Sequence, residues 1–304
     1  MKKIKNKKTP LVTVLITVFN TEAFLALALE SIVKQTYKNL EIVVVDDGSS
    51  DKTAQIIKKF ARADQRIKPI FLKKNLGPSL ASNLGLEKAQ GEFIARMDAD
   101  DIAFPDRIER QLNFLLAHPE VVLLGGQCFL INQESEVVGE KLFPLTNKEI
   151  YKALFAFNPI QHPTCLVNRR LLPKARLFYH NHSLLAHDLE LVFELSQYGQ
   201  LANLPQKVLY YRQDLKSLSR KDAKETFRAT LAIRKKALRE YGYQPSLKAW
   251  LIHFTQVCLI SILPKAWIYP LFKFFRLEGV KDKNAKGLAS GWRNIFTGAC
   301  LRDV

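Results

Sequence analysis

Four apolar runs, separated by stretches of helical spacing, set the pattern of the first hundred residues. Leu11 to Phe19 is rich in Val and Ile, with Thr13 and Thr17 as its polar interruptions. A near-continuous β-branched run of that length predicts a central strand covered on both faces. Leu40 to Val45, Ile67 to Leu72 and Phe93 to Asp98 repeat the pattern. Between them, Phe24, Leu25, Ala28, Leu29, Ile32 and Val33 recur at helical spacing behind an Asn20-Thr21 cap. Ile56, Ile57 and Phe60 mark a second helix, capped by Ser50 or Asp51, and Ser79 to Gln90 a third, stopped by Gly91.

The later chain is more broken. Ile108 to Ala117 predicts a helix, Val121 to Leu124 a strand ended by Gly125-Gly126, and Val137 to Phe143 an edge strand. A loop, Asn158 to Thr164, leads to the strand Cys165 to Val167. His187-Asp188 opens a helix through Tyr198, with Gly199 as its stop and Glu190 and Glu194 on a solvated face. Val208 to Arg212 is a final strand. The regular alternation of strand and helix predicts an α/β layer with a mainly parallel sheet over residues 10–214. Ligands of such sheets bind beyond the carboxyl ends of the strands. Three of those ends carry polar groups, Thr17 to Asn20, Asp46-Asp47 and Asp98 to Asp101, and all three are expected on one edge.

The last of these is the densest. In an extended backbone, residues two apart share a side, so Asp98 and Asp100 can converge, with Asp101 beside them. Neighbouring carboxylates raise one another's proton affinity, and a divalent cation removes that penalty. Oxygen-only ligands suit Mg²⁺ or Mn²⁺. A short acidic turn capping the next helix is the plainer alternative for the same residues.

Charge narrows the partners. The 304 residues carry a formal net charge of +17, which points to a polyanion: nucleic acid, an anionic membrane face or phosphorylated ligands. The four cysteines, Cys128, Cys165, Cys258 and Cys300, lie far apart, so no zinc or C-x-x-C redox motif is present. Residues 1–9 form a basic tail before the Leu11 run, an arrangement like a secretory leader. The β-branched run and its continuation into a helix pattern favour a buried strand instead. No stretch of eighteen or more apolar residues predicts a membrane span. Residues 215–304 differ in character: Lys221 to Tyr241 is helical and basic, and Trp250 to Leu277 interleaves aromatics with Lys265, Lys273 and Arg276. Such a segment either lies in a bilayer headgroup layer or packs on the α/β core.

Taken in series, Val18-Phe19-Asn20, Val44 to Asp51, Asn75 to Asn83, Met97 to Asp101, Asn158 to Thr164 and His187-Asp188 resemble the family 2 glycosyltransferases. These are inverting enzymes of the GT-A fold, and the likeness is greatest to the branch that builds bacterial exopolysaccharide, capsule or lipopolysaccharide. The resemblance covers about residues 10 to 212. It implies that Thr17, Phe19 and Asn20 line the nucleotide, that Asp47 bonds the base, and that Asp98 contacts the ribose or metal-bound water. Phe19 stands where the family commonly has Tyr. By the same likeness Asp100 binds Mn²⁺ or Mg²⁺ and Asp188 is the general base. His187, which stands where the family often has Glu, and His162 fall on the acceptor side.

The implied substrates are a nucleotide sugar, UDP-linked by expectation, and a glycan or lipid-linked acceptor. The implied place is the cytoplasm, at the inner face of the plasma membrane and on its anionic surface. No nucleic-acid partner is expected. A processive synthase would carry Q-x-x-R-W and membrane spans, neither of which is found. A nucleotidyltransferase on a similar sheet would release pyrophosphate. A non-enzymatic polyanion binder would show steep salt dependence.

Overall fold

The computed structural model describes residues 9–173, 179–180, 185–213 and 223–262. The basic stretch before Thr9 and the aromatic run beyond Ile262 lie outside them. The expected alternation is present in β1 (Val12–Val18), α1 (Leu25–Val33), β2 (Leu40–Asp46), α2 (Thr53–Ala63), β3 (Ile67–Phe71), α3 (Pro78–Lys88) and β4 (Phe93–Asp98). Then come β5 (Ile102–Ala103), α4 (Arg107–Ala117), β6 (Val121–Ile131), β7 (Val137–Lys141) and α5 (Asn147–Ala153). The chain continues through β8 (Leu166–Asn168), α6 (His187–Leu195), β9 (Gln200–Arg212), α7 (Ala223–Glu240) and α8 (Leu247–Ile262).

Among the described residues one nine-stranded sheet has the order β3-β2-β1-β4-β8-β6-β9-β5, with β7 paired to β6. β3, β2, β1 and β4 are parallel, β8 runs antiparallel between β4 and β6, and β9 is parallel to β6. The sheet is therefore mixed and mainly parallel. Its two faces follow from the alternation of side chains along a strand. Val14, Ile16, Ile42, Val44, Ala95 and Met97 face α1 and α4, whereas Leu15, Val43, Val45 and Ile94 face α3, α6 and α7. Both sets are essentially inaccessible to water, which is why these strands read as unbroken apolar runs.

Several elements differ from expectation, each for a physical reason. β6 does not end at Gly125-Gly126 but continues to Ile131. A Cβ at Gly125 would meet Asn203 Oδ1 at 2.1 Å, and one at Gly126 would meet Val208 Cγ2 at 2.7 Å. The glycines thus let β9 approach, which is a second meaning of glycine in a strand. β9 is correspondingly longer than expected, starting at Gln200. α1 begins at Leu25 with no side-chain cap; Asn20 instead takes a left-handed φ of 51°. α3 ends at Lys88, short of Gly91, and α6 ends at Leu195, short of Tyr198. α5, opened by a Thr146/Glu149 capping box, was not foreseen although T-x-x-E is a start signal.

Glu190 and Glu194 do not form a solvated face: both are buried. Glu190 pairs with Lys236 of α7 at 2.7 Å and Glu194 with His180 at 2.9 Å. α7, α8 and the turn between them pack on the core through Ile233, Ala237, Tyr243 and Ala249. The far side of α8 exposes Leu247, Leu251 and Phe254. Among the described residues no helix is long and apolar enough to cross a membrane.

Candidate active site

Strand register assembles the first half of the site. Thr17 pairs with Asp98 across β1–β4, and Val18 pairs with Asp46 across β1–β2. The polar ends of three strands therefore sit side by side on one rim, as expected from their order. Within that rim the aspartates have separate environments. Asp47 is buried; its Oδ1 accepts from the Leu76 amide at 2.7 Å and its Oδ2 from the Gly77 amide at 2.9 Å. It pins the loop before α3 to the end of β2 and keeps further lone pairs on each oxygen. Asn20 bridges to the neighbouring turn: its backbone N–H donates to Ser49 Oγ, and its side-chain oxygen accepts from the Ser50 amide, both at 2.9 Å. Phe19 beside it is 46% exposed.

Asp98 closes β4 at the floor of the cleft. Its carboxylate lies 3.6 Å from Arg96, which also donates to Thr17 Oγ1 at 3.3 Å. Although 40% of its side-chain surface reaches water, the protein packed around it raises its proton affinity; Arg96 and His187 pull that affinity down, and Asp188 pushes it up. Asp98 is thus close enough to feel both residues that open α6, 90 positions along the chain.

Asp101 does not join Asp98 and Asp100 as a third converging carboxylate. It is fully buried and turned inward, accepting the Arg212 amide at 2.8 Å. Burial first, then the charges of Asp100 and Asp98, raise it well above the usual carboxylate range. Asp100 borders an open groove with Phe19, Asn20, Phe24 and the β6–β7 hairpin residues Asn132 and Glu134. Asp98 and Asp100, both partly open to water at the end of β4, are of the oxygen-donor type that suits a hard divalent cation. Mg²⁺ in particular is held by one or two carboxylates plus substrate phosphates. Among the described residues no three His, Cys, Asp or Glu side chains form a complete protein cage, so phosphate oxygens would have to complete the shell.

The second half of the site comes from distant segments. Asp188 lies in the first turn of α6 and receives a hydrogen bond from Asn158 Nδ2 at 2.9 Å. The residue before the helix, Ala186, has a left-handed φ of 58°, costly for a residue with a Cβ. His162 and Tyr179 share a 2.8 Å hydrogen bond, and the rings of His162, Tyr179 and His187 pack edge to face within 5.7 Å. Burial, then the Arg96 and His187 charges, hold His162 well below the usual imidazole range. It is therefore neutral at pH 7. Burial likewise pushes the Tyr179 hydroxyl up.

Three residues given no role from sequence organise these groups. Asn158 orients Asp188. Tyr179, held by Asn83 through a pair of bonds at 2.7 and 2.9 Å, stands between Arg96 and the histidines. Arg212 donates to the Asp100 carbonyl at 2.9 Å and to Asn132, Gln133 and Ser135 at 2.5 to 3.1 Å, while stacking on Phe24 at 4.2 Å. Nothing in the sequence marks Arg212 for this role, since its partners Asp101 and Asp100 lie 111 and 112 residues earlier.

Comparison with known proteins agrees with this architecture. The Glycosyl transferase family 2 model matches residues 13–174. The amylovoran biosynthesis glycosyltransferase AmsE of Erwinia amylovora is 34% identical over 66% of this chain and 75% of its own length. Two Haemophilus influenzae glycosyltransferases of uncharacterized activity, 33% and 35% identical, are spanned over 65% and 74% of their lengths. S. aureus TarS 1-349, solved in complex with UDP, superposes with a TM-score of 0.60 at 19% identity over 87% of this chain and 70% of its own. The mannosyltransferase PcManGT of Pyrobaculum calidifontis, solved with GDP-Man and Mn²⁺, gives a TM-score of 0.56 at 17% identity over 96% of this chain and 89% of its own. The strand-end rim, the GT-A sheet and the family match lead to one conclusion: the chain belongs to glycosyltransferase family 2.

Proposed function

We propose that the protein is an inverting, non-processive glycosyltransferase that moves a sugar from a UDP-linked donor to a hydroxyl of a glycan or lipid-linked acceptor. The product would enter a cell-surface polysaccharide or lipopolysaccharide. The observation that carries this reading is the chain of contacts from Asp98 to Arg96, from Arg96 to Tyr179 and from Tyr179 to His187, which brings the strand-end rim next to the start of α6. On this reading the diphosphate would leave beside the rim carboxylates, and the acceptor hydroxyl would attack from beside Asp188.

In this reading Thr17, Phe19, Asn20 and Asp47 hold the nucleoside, Asp100 would hold Mn²⁺ or Mg²⁺, and Asp98 would contact the ribose or metal-bound water. When bound, that cation offsets the charge developing on the leaving group. The acceptor oxygen bonds to the anomeric carbon from the face opposite the diphosphate, and the carbon–oxygen bond to phosphate breaks with its electron pair. Asp188 takes the hydroxyl proton, held in place by Asn158. His162, kept neutral, shapes the acceptor side without adding charge. A single displacement inverts the anomeric centre. The UDP in the TarS complex and the Mn²⁺ in the PcManGT complex support the donor and cation of this scheme.

The exposed Leu247, Leu251 and Phe254, spaced at four and three residues along α8, support peripheral attachment to the anionic inner face of the cytoplasmic membrane. Incubation with UDP-sugars and Mn²⁺, with product analysis, is the test. UDP release is expected. Pyrophosphate release would instead indicate nucleotidyl transfer, and tight, salt-sensitive DNA binding without nucleotide-sugar binding would indicate a nucleic-acid role.

A further inference from the structure

A cavity of about 180 Å³ opens beside Asp188, between the 156–162 loop, the start of α6 and helix α7. We propose that it receives a single sugar ring, the terminal residue of the acceptor, and that Thr226 and Thr230 of α7 select which sugar fits. The proposal rests on the glycosyltransferase reading above and adds to it a binding pocket and its specificity residues.

Three observations carry it. The first is position. Asp188, Asn158 and His162 form the inner wall, so a ring lodged there would present its hydroxyl to the proposed base. The second is lining chemistry. Phe143, Phe157 and Tyr211 bring aromatic rings to the lining, with the Lys141 ammonium 4.9 Å from the Tyr211 ring; the C–H face of a pyranose packs against such rings while its hydroxyls need polar partners. A cavity below about 300 Å³, smaller than a drug-sized site, holds one ring rather than a chain of them. The third is the stripe that Thr226, Thr230 and Arg234 make on α7. Spaced four apart, they lie on one helix face, and all three line the cavity. Thr230 Oγ1 donates to the Thr226 carbonyl at 2.9 Å, which fixes its hydroxyl and leaves its lone pairs to accept from a ligand.

The stripe is held rigidly. Arg234, 1% exposed, donates to the Ala156 carbonyl at 2.8 Å and to Gln256 of α8 at 2.9 Å. Lys236 and Tyr241 bond Glu190 on α6 at 2.7 and 3.2 Å. The distance from the threonines to Asp188 is therefore set by packing. α7 lies outside the residues matched by the family model, 13–174.

The experiment uses the full chain loaded with UDP and Mn²⁺, and methyl glycosides of glucose, galactose, mannose and N-acetylglucosamine as probes, read by saturation-transfer NMR. At least one glycoside is expected to bind. Thr230→Trp, which fills the cavity, is expected to weaken it by at least about tenfold, with UDP affinity kept within about twofold. The milder pair Thr226→Ala/Thr230→Ala guards against misfolding and is expected to change the order of preference among the four. Equal glycoside binding by wild type and Thr230→Trp overturns the proposal, as does an unchanged order in the double variant or no binding by the UDP-loaded wild type. Failure of the wild type to bind UDP at all would instead overturn the donor reading, and this pocket with it.

Discussion

The rim formed by β1, β2 and β4 and the wall formed by the 158–164 loop, α6 and α7 are built by opposite means. On the rim, strand register does the positioning: Thr17, Asp46 and Asp98 are neighbours because their strands are parallel and equal in reach. On the wall, each group is held by a partner far along the chain: Asn158 by Asp188, Tyr179 by Asn83, Glu190 by Lys236. The rim is a property of the sheet and tolerates change in what packs on it. The wall depends on individual hydrogen bonds, so single substitutions should reshape it without disturbing the rim.

The sharpest break of that contrast is Asp188→Asn. It keeps a partner for Asn158 and removes the base, so transfer should fall by about 10² to 10⁴ while UDP-sugar binding, measured by calorimetry, stays as it was. Asp100→Ala should act on the other side. A loss of about 10² to 10³ in turnover is expected, together with loss of Mn²⁺ stimulation; retained full activity would remove Asp100 from the cation site.

Arg212→Lys tests how the acidic turn after β4 is held, since Arg212 ties Asp100 and Asp101 to the β6–β7 hairpin. Lysine cannot span the carbonyls of Asp100, Asn132 and Gln133 at once. The Mn²⁺ concentration for half-maximal activity should rise about tenfold, with turnover recovering at saturating metal. A turnover loss that metal cannot rescue would mean that Arg212 acts other than by holding Asp100.

The smallest effect concerns His162. Its folded form binds a proton less readily than the unfolded chain, whose imidazole titrates near 6.5. Below that pH the unfolded state therefore gains protons that the native state does not, and stability falls as the solution is acidified. His162→Gln should flatten the decline in melting temperature from pH 6.5 to about 5. An unaltered slope would trace the acid sensitivity to another group.

Much of the rim was legible from the chain because its causes are local. Apolar runs of β-branched residues ending in Asp46-Asp47 and Asp98 specify both strand and edge. Where the cause lies elsewhere in the chain, sequence reading failed in particular ways. Gly125-Gly126 looked like a strand end because the side chains of Asn203 and Val208, which need the space, lie about 80 residues later. Glu190 looked solvated because its partner, Lys236, belongs to a helix beyond the domain boundary expected at residue 214. Asp101 looked like a member of the acidic cluster until Arg212 turned it inward. The start of α5, by contrast, has a local cause, the T-x-x-E order of Thr146 and Glu149. For the basic, aromatic C-terminal stretch, packing on the core and exposure to a bilayer were set as alternatives. α7, α8 and the turn between them bury Ile233, Tyr243 and Ala249 on the core and still present Leu247, Leu251 and Phe254 outward, so in that stretch the two are not exclusive.

Ala186 holds its left-handed turn without the ease that glycine would bring. Ala186→Gly would relax that bend and also widen the choices open to the unfolded chain, so thermal resistance should shift by no more than about 1 kcal/mol. The larger consequence is for timing. α6 itself stays where Leu189, Val192 and Phe193 bury it, so a freer bend would loosen only the first turn, and productive encounters would become rarer even though every group needed for them is still present.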